Sequence, residues 1–371
     1  MEFKLRDHTI LVAVAGSRAY GTHMATSDVD LKGVCVPPAI YYHGYQHRFE
    51  QADKASHMEV FRDLLTGETA EAAMNEKLEG SVYEIRKFIK LAADGNPNIW
   101  DLLFCRDSEV LLVTDLGRLL RDHRDLFISK KCRFTFGGYA RQQLKRINTH
   151  RKWLLDPPSG APTRKEYDLP ERTVIPADQL AAAQAEIQKR VDGWELDLDR
   201  LDEASRIYIR DQIITALTEM GTDYDERWRK AGESLGMSTN FLELLDRERR
   251  YKAAKTNWKQ YQDWKNTRNP ARAKLEAEHG YDCKHAMHLV RLMRTCVEVF
   301  ETGEVNIWRP DAEELLAIRN GFWPYESLVA WFEEIDLRLT ELYKTSTLPR
   351  EPRGREIAAL CMEIVETALR S

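Results

Sequence analysis

Long hydrophobic runs and any regular cysteine pattern are both missing from this 371-residue chain. No apolar stretch approaches the roughly 18–20 residues that a helix needs to cross a bilayer, so no membrane partner is expected. The segment Met1–Asp7 has no apolar signal-peptide core, so the mature chain is expected to begin here. Six cysteines (Cys35, Cys105, Cys132, Cys283, Cys296, Cys361) are scattered without a C-x-x-C pair. That argues against a zinc ribbon or a disulfide framework and makes a reducing, cytoplasmic setting the expectation. No repeat recurs at solenoid spacing. Net charge is only −5, which by itself says nothing about nucleic acid.

The charge is sorted along the chain, however. Residues 126–155 carry eight Lys or Arg and no acid. Residues 247–294 carry thirteen basic and five acidic residues, whereas 176–226 carries thirteen acidic and five basic. Such sorting allows a basic surface on a mildly acidic chain, although helix faces that neutralise one another read equally well. The length suggests two domains.

What is present is concentrated near the front. The apolar run Thr9–Ala15 reads as a buried strand that leads into Gly16-Ser17-Arg18-Ala19-Tyr20-Gly21. Gly16 permits a sharp bend, and Ser17 can offer hydroxyl and amide to phosphate oxygens. A second β-like segment, 27–36, carries Asp28 and Asp30 at i and i+2, which puts both carboxylates on one strand face. A phosphate cradle opposite two aligned acids is what Mg²⁺-dependent nucleotidyl transfer requires. Two such ions usually share at least three carboxylates. Glu79 is the favoured third acid, ahead of Glu59, with Asp101 a weaker choice. Arg18 or Lys32 could neutralise a triphosphate, Lys32 because it shares the face of the two aspartates.

This constellation resembles the DNA polymerase β superfamily of nucleotidyltransferases, in particular the branch associated with RNA repair. The string Gly-Ser-Arg-Ala-Tyr-Gly with Ser-Asp-x-Asp-x-Lys-Gly-Val carries the likeness. So do Lys87-Phe88, Gly95-Asn96-Pro97-Asn98, Gly137-Gly138-Tyr139-Ala140 and residues 281–292, Tyr-Asp-Cys-Lys-His-Ala-Met-His-Leu-Val-Arg-Leu. The branch commonly has Asp where Glu79 stands. The acidic stretch from Pro176 lies outside the likeness.

On a helix starting near Asp282, Lys284, His288 and Arg291 fall on one face, with His285 one step round and Arg294 continuing the stripe. These side chains suit phosphate binding. His285 and His288 alone are too few for zinc, and no carboxylate or cysteine partner is expected at metal spacing. Tyr251, Trp258, Tyr261 and Trp264 alternate with lysines, a pattern that fits base stacking but fits helix packing better.

Helical periodicity is expected over 82–91, stopping at Gly95, and over 140–155 after an interruption at 134–139. An acidic helical hairpin is expected near 177–219. The fold class expected is α+β: a small mixed-sheet nucleotidyltransferase domain at 1–112, then a larger all-helical substrate-binding domain at 113–371 with an acidic insertion near 176–226. The expected reaction moves a nucleoside monophosphate from an NTP such as ATP to an acceptor, with pyrophosphate release and two Mg²⁺ ions on Asp28, Asp30 and Glu79. Gly16, Ser17, Arg18, Lys32, Lys284, His285, His288 and Arg291 are the expected nucleotide-binding set. The basic segments and the resemblance make an RNA end the expected acceptor. The alternatives are a small molecule, a protein hydroxyl, or an inactive nucleic-acid- or partner-binding protein.

Overall fold

A computed structural model describes residues 3–173, 175–193 and 224–370. The chain divides into two compact units, residues 1–151 with 275–371, and residues 152–274.

The first unit is built on a five-stranded mixed sheet of order β3-β4-β2-β1-β5. Its strands are β1 (Thr9–Ala15), β2 (Val29–Cys35), β3 (Gln51–Ala52), β4 (Leu78–Glu84) and β5 (Val110–Val113). β1 is buried along all its length, as its unbroken apolar sequence requires of a strand covered on both faces. It pairs antiparallel with β2 and β5, while β2 runs parallel to β4.

The period of two sorts the side chains. Val12, Val14, Val29 and Leu31 join Met58 and Phe61 on one face. Leu11, Ala13 and Val34 join the other face, which is covered by Ile85, Phe88, Ile99, Leu102 and Leu120. Asp30 and Lys32 alternate with Val29 and Leu31, so they point to this second face.

Its covering helices are α2 (Ile85–Ala93), α3 (Pro97–Leu103) and α4 (Asp115–Asp122), after the short α1 (Gly16–Tyr20). The expected helix over 82–91 thus begins three residues late. Val82–Glu84 completes β4, and the Glu84 side chain caps α2 by accepting from the Lys87 amide. Asn96 caps α3 in the same way, with Pro97 in its first turn.

Beyond the sheet come α5 (Cys132–Leu155), α6 (Cys283–Thr302), α7 (Ala312–Arg319), α8 (Tyr325–Thr345) and α9 (Gly354–Arg370). The interruption expected at 134–139 is absent, because α5 is continuous through Gly137-Gly138. Phe136 and Cys132 are buried in one cluster with Met287, Val290 and Met293 of α6. That burial outweighs the roughly 1 kcal/mol that each glycine costs a helix. Ile357, Leu360 and Ile364 of α9 pack in the cluster of Phe88 and Leu120, so the closing helix covers the sheet. Among the described residues, no helix is long and apolar enough to cross a membrane.

The second unit has helices Ala177–Gly193, Tyr224–Ser234 and Thr239–Thr267. Trp228, Leu242 and Leu245 form its core with Ile187. The second arm of the expected acidic hairpin falls in 194–223, outside the described residues.

Candidate functional site

The bend after β1 and the acids of β2 meet directly. Gly16 has φ +64°, and a Cβ there would overlap Asp30 Oδ2. Only glycine allows this backbone both its left-handed turn and its approach to the carboxylate. Ala15, just before it, is the register partner of Asp30. α1 then carries Ser17 with no side chain capping its first turn.

Asp28 lies one residue ahead of β2 and is exposed, with Asp30 half-buried two positions on. Glu79 is exposed on β4 and stands opposite Asp30 in the parallel register. Glu59 is elsewhere, on a 3₁₀ turn (Glu59–Leu64), bound to Arg62 at 2.6 Å.

The electrostatics follow from burial first and from this crowding second. Burial pushes the Asp30 carboxyl up to about 6, the neighbouring Asp28 and Glu79 charges add to the rise, and Lys32 and Lys284 oppose it. Three acids thus gather at one place, with Lys32 committed to Asp101 and Lys77 3.9 Å from Glu79. Oxygen donors of this kind suit Mg²⁺.

The expected phosphate-binding residues divide into several groups. Lys32 extends along the Asp30 face, but its ammonium donates to the Asn98 carbonyl at 2.6 Å and to Asp101 Oδ2 at 2.8 Å. Asp101, on α3, is 2% exposed and also accepts from the Tyr20 hydroxyl. It is therefore a buried anchor and not a metal ligand. The Arg291 guanidinium of α6 stacks over Tyr20 at 3.7 Å from the ring centre. A chain Lys32–Asp101–Tyr20–Arg291 thereby ties β2, α3, α1 and α6 together. Arg18 is buried and donates to the Ser27 carbonyl at 3.2 Å, bracing the turn that presents Asp28.

His288 cannot serve as a cation. Burial, with the Arg291, Lys284, His285 and Arg319 charges, holds its imidazole well below the ordinary range, so it is neutral at pH 7. Arg294 binds Asp311 at 2.6 Å and Glu314 at 2.7 Å, which removes it from the expected phosphate stripe. Lys284 is exposed, and its charge reaches Asp30.

His285 leaves the row. It lies against Asp282, 3.6 Å away, and Asp282 also meets His150 of α5 at 3.2 Å. The expectation that no carboxylate stands at metal spacing is thus corrected by an acid only three positions before His285. Its partner His150 is 132 positions from Asp282, beyond any local spacing rule.

Half of the basic run at 126–155 is bound to acids from other segments. Lys131 binds Asp94 at 2.9 Å, Arg133 and Arg141 each bind Asp336 at 2.9 Å, and Arg151 reaches Glu326 at 3.3 Å. Within the second unit, Trp153, Tyr261 and Trp264 pack on one another at ring-centre distances of 5.4–6.0 Å. Packing, not base stacking, accounts for that aromatic stripe.

A mixed sheet with a glycine-serine bend and acids on the two following parallel strands marks the class of polymerase-β-like nucleotidyltransferases. Within it, the chain belongs to the RNA repair pathway DNA polymerase beta family (RlaP), whose pattern matches residues 3–203. It is also similar to an uncharacterized 38.9 kDa protein from the nrdC–mobD intergenic region of Enterobacteria phage T4. The two are 24% identical over 330 residues, 88% of this chain and 87% of the phage protein. No solved structure matches the chain.

Proposed function

We propose that the protein transfers a nucleoside monophosphate from an NTP to an RNA end and releases pyrophosphate. The observation that carries this reading is the meeting of Gly16, Asp30 and Glu79 at one end of the neighbouring strands β1, β2 and β4, with Asp28 beside them. Asp28, Asp30 and Glu79 would hold two Mg²⁺ ions. Those ions would supply activation of the acceptor oxygen and neutralisation of the leaving pyrophosphate.

The remaining roles belong to the chain. Ser17 binds the terminal phosphates through its hydroxyl and amide, at a bend that only Gly16 permits. Lys284 adds a positive charge on the α6 side. Neutral His288 serves as a hydrogen-bonding group toward the nucleotide. Lys32 and Arg291 act mainly through the Asp101–Tyr20 chain, which holds α1 and β2 in register. The RNA acceptor is supported by family membership more than by surface charge, since four of the eight cations of 126–155 are bound to acids.

The test supplies each α-labelled NTP with Mg²⁺ and a mixed pool of RNA ends, DNA ends and proteins. Label should enter RNA, and Asp28→Ala should abolish its transfer. Label entering only protein or small molecules would refute the acceptor. Transfer that persists undiminished in Asp28→Ala would refute the site. Affinity for the RNA end should also fall steeply with rising salt, whereas transfer to a small molecule would not show that slope.

A further inference from the structure

The His150–Asp282–His285 cluster plays no part in nucleotidyl transfer as described above. We propose that it is a zinc site that clamps the start of α6 to α5.

The donor geometry carries the argument. Asp282 Oδ2 lies 3.2 Å from His150 Nδ1 and 3.6 Å from His285 Nε2. The three donor atoms all fall within 4.8 Å of one another. A tetrahedral zinc ion with bonds of about 2.0–2.1 Å requires donors roughly 3.3 Å apart, and the two measured edges bracket that value. A hydrogen bond between one histidine and the acid would account for the first edge. It does not account for a second imidazole turned toward the same oxygen, with the rings 5.9 Å apart and tilted by 38°.

The carboxylate is also oriented in the manner of a ligand. Asp282 is fully buried, and its other oxygen, Oδ1, accepts the His285 backbone N–H at 3.1 Å as the cap of α6. Fixing one oxygen in this way leaves Oδ2 aimed at the two rings, as outer hydrogen bonds do in metal centres. Two imidazoles and one carboxylate suit zinc better than Mg²⁺, which prefers an all-oxygen shell. Both histidine side chains are about one-sixth exposed, 17% and 16%, so water can complete the fourth position.

The consequence is positional. Lys284 lies between the two α6 ligands Asp282 and His285, so an ion there would fix the first turn that presents Lys284 toward Asp30.

The full-length protein would be purified, equilibrated with Zn²⁺ in millimolar Mg²⁺ to occupy the acid site, and passed through a desalting column. Wild type should retain one zinc per chain. His150→Ala and His285→Gln should bind zinc at least about 100-fold more weakly. Zinc should raise the thermal midpoint of chelator-stripped wild type, and Co²⁺ should give the visible bands of a four-coordinate ion. Wild type that retains no zinc and shows no thermal shift would overturn the proposal. So would variants that keep a full equivalent. If a variant does not fold, the response of stripped wild type to zinc decides alone.

Discussion

The burial of Asp30 beside two other acids makes a quantitative prediction about Asp30→Asn. In the folded chain Asp30 is raised from 3.8 to about 6. Below pH 4 the carboxyl is protonated in both folded and unfolded chains, and no penalty arises. Between pH 4 and 6 the unfolded chain ionises while the folded one keeps its proton, so native stability falls as pH rises. Above pH 6 the loss is complete. A difference of this size corresponds to an upper limit of about 3 kcal/mol, lowered by solvent reaching this half-buried group. Asp30→Asn removes the titration. In chelator, urea unfolding at pH 4–8 should show wild type losing up to that amount relative to the variant as pH rises. Millimolar Mg²⁺ at pH 8 should restore stability to wild type and not to Asp30→Asn. Parallel pH profiles for the two proteins would refute the reasoning, because burial and the acid neighbours would then not hold the Asp30 carboxyl above its ordinary range.

Three further outcomes are expected. Gly16→Ala combines a left-handed residue with a clash at Asp30; it should cost about 1–3 kcal/mol from the backbone alone and abolish transfer, checked by unfolding and by the labelled-NTP assay. Lys32→Met leaves Asp101 buried without its cation and should cost about 3–5 kcal/mol, with Asp101→Asn in the same chain recovering part of it, measured as a double-mutant cycle. Lys284→Gln should weaken NTP binding by about tenfold, whereas Arg294→Gln, already bound to Asp311 and Glu314, should leave it unchanged; calorimetry distinguishes the two.

Much of the front of the chain was legible because its signals are local. The unbroken apolar run of β1, the period of two in β2 and the positive-φ glycine each follow from a few adjacent residues. Glu79 was legible as an acid in a strand-like setting, but its register opposite Asp30 comes from pairing across some fifty positions. The extent of β4 is not legible locally, because Val82–Glu84 fits a helical period as well as a strand, and only pairing with β2 decides. The glycine pair in α5 misled for the opposite reason: tertiary burial of Phe136 overrides a weak local preference. The basic stripe on α6 was the least legible part. Sequence gives the face of Arg294 and His285, but not the Asp311, Glu314 and His150 that meet them from distant segments. Asp101 and Tyr20 were visible as residues, yet their joint role depends on Lys32 and Arg291 arriving from other elements.

The most direct measurement is a crystal structure of the protein with Mn²⁺ and a non-hydrolysable NTP analogue, with the ions located by anomalous scattering. The account predicts two manganese ions held by Asp28, Asp30 and Glu79, with the triphosphate against Ser17. Ions bound elsewhere, or a triphosphate seated away from the Gly16 bend, would contradict it.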